Sequence, residues 1–169
     1  MPDLSQLPRP SHLWKQLSPE HKLQAAEAFW QDENAAGEQA EAVLTIAQRI
    51  KFRAKSVWAL PVAKKARHLV SAGAVSEVLA ARLLVAYHLS QQRPMMAAFL
   101  DALAVKHEDG VIAEEDLQPP SADRLREAAR ALGAAHPADD VALYLSTLIW
   151  QDSDTWGGLI DAPELLLPA

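Results

Sequence analysis

Seven basic residues lie between positions 49 and 67 of this chain, and no acidic residue interrupts them: Arg49, Lys51, Arg53, Lys55, Lys64, Lys65 and Arg67. The surrounding segment, residues 42–76, therefore carries a formal charge of +7. Residues 1–41 hold three basic and seven acidic residues, and residues 77–169 hold six and fifteen, which gives the chain a net charge of −6. Such a concentration of cations attracts anionic partners, most strongly at low salt.

Phe52 and Trp58 lie among these cations, so aromatic contacts are available beside the charges. Nucleic acid, an anionic ligand or an acidic protein surface could each use this combination. We favour an acidic protein or another anionic partner, and nucleic acid is possible but less favoured. A helix-turn-helix over residues 69–84 is rejected, because the helix after Gly73 is too apolar to enter a DNA major groove. The alternative is that the cations lie on solvated helix faces or are neutralised by acidic residues of the same chain.

Three lone polar residues interrupt two otherwise apolar segments and form a second candidate site. Arg82 and His88 lie in the stretch from Ser76 to Gln91, and Asp101 lies in the stretch that follows Pro94. If the two helices form a hairpin, Arg82 and Asp101 come to within roughly 5 Å of the same level, given a rise of 1.5 Å per residue. We predict an Arg82–Asp101 ion pair in or near the core with His88 or Tyr87 nearby, either architectural or lining a small ligand pocket.

Other common chemistries are disfavoured. The chain has no cysteine, which excludes thiolate metal sites and cysteine nucleophiles. Its six histidines lack metal-binding spacing. The acidic segment around Gly110 resembles part of an EF-hand loop, but it would place Val105 and His107 at calcium-ligand positions and therefore cannot form a calcium site. No nucleophile elbow or phosphate-binding glycine loop is present. We therefore predict no metal, no cofactor and no catalytic residue.

The elements that must position these residues are helical. Capping residues, prolines at helix starts and apolar residues at helical spacing predict an all-α bundle of about seven helices in a single domain, 1–169. The expected helices begin near Ser18, Glu38, Pro61, Ser76, Pro94, Ser121 and Pro137. Segments 1–10 and 153–169 are expected to be irregular ends, and 107–120 an acidic loop. The helices over 76–91, 95–105 and 138–151 are expected to be central.

The composition is that of a globular protein, with half of the residues hydrophobic and 22% charged. The N-terminus lacks the features of a signal peptide, and no apolar run reaches the length of a membrane span. We therefore expect a soluble cytoplasmic binding or adaptor protein with no membrane partner. The alternatives are a small enzyme or ligand-binding protein with an interhelical pocket, and a nucleic-acid binder without sequence specificity.

Overall fold

The computed structural model describes residues 3–167 and confirms the all-α class. The described residues contain ten α-helices: α1 (Pro10–Gln16), α2 (Pro19–Gln31), α3 (Ala36–Ile50), α4 (Ala54–Trp58), α5 (Val62–Ser71), α6 (Glu77–Gln91), α7 (Arg93–Ala102), α8 (Ala122–Ala135), α9 (Ala138–Gln151) and α10 (Ser153–Trp156). Short 3-10 helices span Leu4–Gln6, Gly157–Asp161 and Pro163–Leu165. Strands β1 (His107–Glu108) and β2 (Val111–Ile112) form an antiparallel pair.

The prediction of about seven helices is too low because three short helices give no periodic signal. Helices α1, α4 and α10 have seven, five and four residues. Apolar periodicity needs about three turns to become visible, so helices of one or two turns are not distinguished from loops. The longer helices were placed within a few residues, and α5 ends before Gly73, which has a φ of +78°.

Three boundary predictions are corrected. Helix α8 continues through Gly133 to Ala135 rather than ending at the glycine. The segment 107–120 is not a plain loop, since it contains the β1–β2 pair. The described part of the tail contains α10 and the 3-10 helices Gly157–Asp161 and Pro163–Leu165 rather than irregular structure. Asp152 caps α10 by accepting hydrogen bonds from the backbone N–H and the hydroxyl of Thr155. Of the segments expected to be irregular ends, residues 1–2 and 168–169 lie outside the described residues.

The chain forms two compact units: an N-terminal unit, Pro10–Ser90, and a C-terminal unit, Met1–Arg9 with Gln91–Ala169. The presence of a single domain stays a prediction. In the N-terminal unit, α5 packs against α2 and α3, and α4 packs against α3. Its core includes Phe29, Ile46 and Leu69, all fully buried.

In the C-terminal unit, α8 packs against α7, α9 and the 3-10 helix Gly157–Asp161. Residues 141–149 of α9 are buried without interruption, including the polar Ser146 and Thr147, so this helix is the centre of the unit, as expected. Phe99 of α7 contacts Tyr144 of α9 edge-on at a ring-centroid distance of 5.8 Å.

Candidate anion-binding face

The seven cations of segment 49–67 lie at the end of α3, on α4 and on α5, and we call this region of the N-terminal unit the basic face. Helix α3 ends at Ile50, and its C-cap residue Lys51 has a left-handed backbone with a φ of +58°. The backbone N–H groups of Lys51 and Phe52 both donate to the carbonyl of Ala47, which closes the helix end. The chain then turns into α4, and Phe52 remains 51% exposed.

Six of the seven cations are exposed: Arg49, Lys51, Arg53, Lys55, Lys64 and Arg67. Within residues 3–167, no side-chain nitrogen of these six lies within 4.0 Å of a carboxylate oxygen. The ion pairs among residues 3–167 involve other basic residues: Arg82, Arg93, His107, Arg126 and Arg130. The basic face is therefore not neutralised by ion pairs with the described acidic residues.

Lys65 is the exception, because it is only 8% exposed and lies on the inner side of α5. Its Nζ is 4.9 Å from the ring centroid of Trp30 and 5.6 Å from that of Trp58, and it donates to the carbonyl oxygen of Trp58 at 3.3 Å. The two indoles meet edge-on at 6.0 Å. Lys65 thus holds α2, the end of α4 and α5 together through cation–π contacts. Its side chain is used inside the fold, unlike those of its six neighbours.

A groove of about 460 Å³ lies on the outer side of α5, lined by Phe52, Leu60, Lys64, Arg67, His68 and Ser71. The four lining residues of α5 fall at positions i, i+3, i+4 and i+7, so they form one stripe along the helix. The stripe presents an ammonium, a guanidinium, an imidazole and a hydroxyl over about 10 Å. Phe52 and Leu60 supply an apolar wall beside these donors.

The first turn of α5 carries a cation and no acidic residue, as does the first turn of α7, which begins at Arg93. Acidic residues occupy the first turn of α2, α3, α6, α8 and α9, where they favourably oppose the positive end of the helix dipole. Helix α5 has no acidic residue there and no side-chain cap, and it carries Lys64 instead. A cation at this position is unfavourable by about 0.3–1 kcal/mol. The basic face therefore concentrates positive potential that an anion would relieve.

The structure gives Arg82 and Asp101 partners within their own units. The Arg82 guanidinium donates to the carbonyl of Asn34 at 2.5 Å and lies 3.6 Å from the Asp32 carboxylate, so it fastens the turn between α2 and α3. Asp101 is 73% exposed and pairs with His107 at 2.6 Å. The prediction that this carboxylate lies in or near the core is therefore wrong. The apolar residues around Asp101 reflect the buried face of α7, while Asp101 occupies the opposite face.

His88 is buried, with 2% of its surface exposed, and its Nδ1 donates to the carbonyl of Leu84 at 2.8 Å. Burial lowers the pKa of His88 to about 4, and the hydrogen bond to Leu84 acts in the opposite direction. The imidazole is consequently neutral at pH 7. Neither His88 nor Arg82 nor Asp101 lines the groove beside α5.

The Asp101–His107 pair has the composition of a general-base dyad, but its geometry is that of a clamp. Nδ1 of His107 accepts a hydrogen bond from the Gly110 N–H at 3.1 Å, so Nε2 carries the proton and donates to Asp101. Both ring nitrogens are engaged, and neither can accept a substrate proton. Gly110 is required at this turn, because a Cβ there would lie 2.8 Å from the Cβ of Met96. The pair fastens the β1–β2 hairpin to α7.

A second groove, of about 330 Å³, lies in the C-terminal unit. It is lined by α8, α9 and the segment Glu164–Leu167, and Arg130 faces Glu164 across its rim at 3.6 Å. Among residues 3–167 no group of three or more His, Cys, Asp or Glu side chains could hold a metal ion. In the same range, no helix combines the length and the apolar composition needed to cross a bilayer.

Sequence reasoning named Lys64 and Arg67 but missed His68, Leu60 and Ser71 as parts of the groove. The missed signal is the i, i+3, i+4, i+7 spacing of polar residues on α5, which could have separated Lys64 from the inward-facing Lys65. Comparison with known proteins finds no family model, curated protein or solved structure that matches the chain.

Proposed function

We propose that this chain is a helical binding or adaptor protein of the cytoplasm whose basic face binds an acidic partner protein. The observation that carries the proposal is that six exposed cations have no carboxylate partner among residues 3–167. Keeping so many like charges together is unfavourable for the fold, and an anionic partner would offset that cost. The absence of cysteine is compatible with the reducing cytoplasm.

An acidic protein is favoured over nucleic acid by the charge of the whole chain. Residues outside segment 42–76 contribute −13 to the net charge of −6, so a long polyanion extending beyond the face meets repulsion. A protein partner carries its negative charge in a limited patch and can match the face without such repulsion. The same charge separation would orient the partner as it approaches.

The proposal is tested with a fluorescein-labelled twelve-residue oligoglutamate, whose binding to the full chain is measured by fluorescence anisotropy over a series of salt concentrations. The wild-type chain should bind at low salt and release the peptide as salt increases. The triple variant Lys55→Glu, Lys64→Glu, Arg67→Glu should lose at least tenfold in affinity. Lys65 is left unchanged because it is buried.

The matched control is the triple variant Lys15→Glu, Lys22→Glu, Lys106→Glu, which changes the net charge equally at lysines outside the basic face. It should retain most of the affinity, apart from a small general loss from the changed net charge. Equal loss in the two variants would overturn the proposal, because binding would then depend on total charge alone. Tighter binding of a single-stranded oligonucleotide with the same number of charges would favour nucleic acid instead.

A further inference from the structure

The groove beside α5 combines cationic and apolar surface. Its floor along α5 carries the cationic side chains of Lys64 and Arg67 with the imidazole of His68, and its wall carries Phe52 and Leu60. Phe52 is 51% exposed, although burial of an aromatic side chain is strongly favourable. An occupant that satisfies the whole groove must therefore be both anionic and apolar.

We propose that the groove binds an extended acidic segment of the partner protein that carries one large apolar residue. The inference rests on the proposed function and specifies how the partner is recognised. The apolar residue packs against Phe52 and Leu60, while nearby carboxylates of the same segment meet the donors of α5. A purely ionic surface would not need the wall, and a purely apolar partner would leave Lys64 and Arg67 desolvated without a counter-charge.

The spacing of the donors fits an extended peptide. Lys64 and His68 are four residues apart on α5, which corresponds to a rise of about 6 Å along the helix. Side chains at positions i and i+2 of an extended peptide point to the same side and are separated by about 6.6 Å. Two acidic residues separated by one residue can therefore face Lys64 and the Arg67–His68 pair at the same time.

The opposite side of α5 fixes the groove in place. Ala66 and Leu69 of this helix are fully buried, and Lys65 is held by Trp30 and Trp58. Because the inner side is anchored in this way, the outer stripe does not need to reorganise when a partner binds, which reduces the cost of binding.

The test compares two labelled twelve-residue peptides: oligoglutamate, and the same peptide with one central glutamate replaced by leucine. The leucine peptide has one charge fewer, so ionic attraction alone predicts weaker binding to the wild-type chain. The inference predicts binding that is about tenfold tighter, which corresponds to partial burial of one leucine side chain.

The variant Phe52→Ser should abolish the preference for the leucine peptide and leave oligoglutamate binding within about twofold, since no charge is changed. Val78→Ser is the matched control, because Val78 is 65% exposed on α6 and does not line the groove. It should leave both affinities unchanged. Circular dichroism and urea unfolding establish that each variant is folded.

The outcomes separate this inference from the proposed function. If both peptides bind at the basic face but the leucine peptide does not bind more tightly than oligoglutamate, the inference that the groove binds an apolar residue is wrong and the proposed function stands. If the leucine advantage survives Phe52→Ser or is lost in Val78→Ser, the groove is not the site of recognition. If neither peptide binds in a manner that depends on Lys64 and Arg67, the proposed function itself fails.

Discussion

Basic side chains in the interior of the N-terminal unit have partners within the fold, whereas those on its basic face have no carboxylate partner among residues 3–167. Inside, the Nζ of Lys65 lies over the rings of Trp30 and Trp58, and His88 donates to a backbone carbonyl. On the basic face, six cations lie in solvent with no carboxylate within 4.0 Å among residues 3–167. Lys64 and Lys65 are adjacent in sequence, but Lys64 is exposed on the basic face and Lys65 is buried in the interior.

The difference teaches that a basic run in a sequence is not one functional unit. A buried cation needs partners, and its removal costs stability because those partners lose their interaction. An exposed cation without partners contributes little to stability and can be removed without penalty. The contrast therefore predicts which substitutions change folding and which change binding.

The largest stability effect belongs to the interior and depends on pH. The pKa of His88 is about 4 in the folded chain and about 6.5 when unfolded, so the unfolded chain binds the proton more readily. The stability contributed by neutral His88 is present above pH 6.5 and is lost as the pH falls towards 4. The loss is about 2 kcal/mol between pH 7 and pH 5 and approaches 3 kcal/mol at pH 4. Urea unfolding at these pH values measures it.

The matched variant for this prediction is His88→Gln, which keeps an N–H donor but does not titrate. Its free energy of unfolding should be lower than that of the wild type at pH 7, and it should fall less between pH 7 and pH 5. An identical decline in the two proteins would show that His88 is not the group responsible.

Lys65→Met should lower the free energy of unfolding by about 2 kcal/mol, because the cation–π contacts with Trp30 and Trp58 and the hydrogen bond to the Trp58 carbonyl are lost. Lys64→Met should change it by no more than about 0.5 kcal/mol. Urea unfolding of the two variants at pH 7 gives the comparison. Equal losses in the two variants would remove the distinction between the inner and outer sides of α5.

Lys51→Gly should raise the free energy of unfolding by roughly 0.5–1 kcal/mol, because Lys51 has a left-handed backbone that glycine adopts without strain. The same substitution should weaken binding of oligoglutamate, since one cation of the basic face is lost. Lys51→Ala is the control, which should weaken binding equally without the gain in stability. Unchanged oligoglutamate binding in both variants would show that Lys51 does not contribute to binding at the basic face.

The smallest effect is expected from Lys64→Met combined with Arg67→Met. These like charges are three residues apart on one helix, so their removal should raise the free energy of unfolding by a few tenths of a kcal/mol at low salt. The increase should disappear at high salt because the repulsion is then screened. A marked loss of stability would show that the two cations have a structural role.

The sequence predicts the helical class and the long helices because capping residues and apolar periodicity are local signals. It fails at α1, α4 and α10, whose one or two turns carry too few residues to reveal a period. The sequence also misplaces Asp101. A single polar residue in an apolar stretch does not show whether it lies on the buried face or on the exposed face of the helix. The pairing of Asp101 with His107 depends on the β1–β2 hairpin, and strands of two residues are too short to be predicted from the sequence pattern.

The candidate site was predicted only in part for the same reason. Charge counting identifies the basic segment, but it treats Lys64 and Lys65 alike. Their separation depends on which side of α5 faces α2, and on Trp30, a residue thirty-five positions away from Lys65 in sequence. Long-range packing of this kind is not visible in the local spacing of charges.

The most direct test of the account is the affinity for labelled oligoglutamate at low salt, compared between the variant Lys55→Glu, Lys64→Glu, Arg67→Glu and its charge-matched control at Lys15, Lys22 and Lys106. The account predicts at least a tenfold loss in the first variant and near wild-type affinity in the second. Equal affinities in the two variants, or no binding by the folded wild-type chain, would contradict the assignment of the basic face as a binding surface.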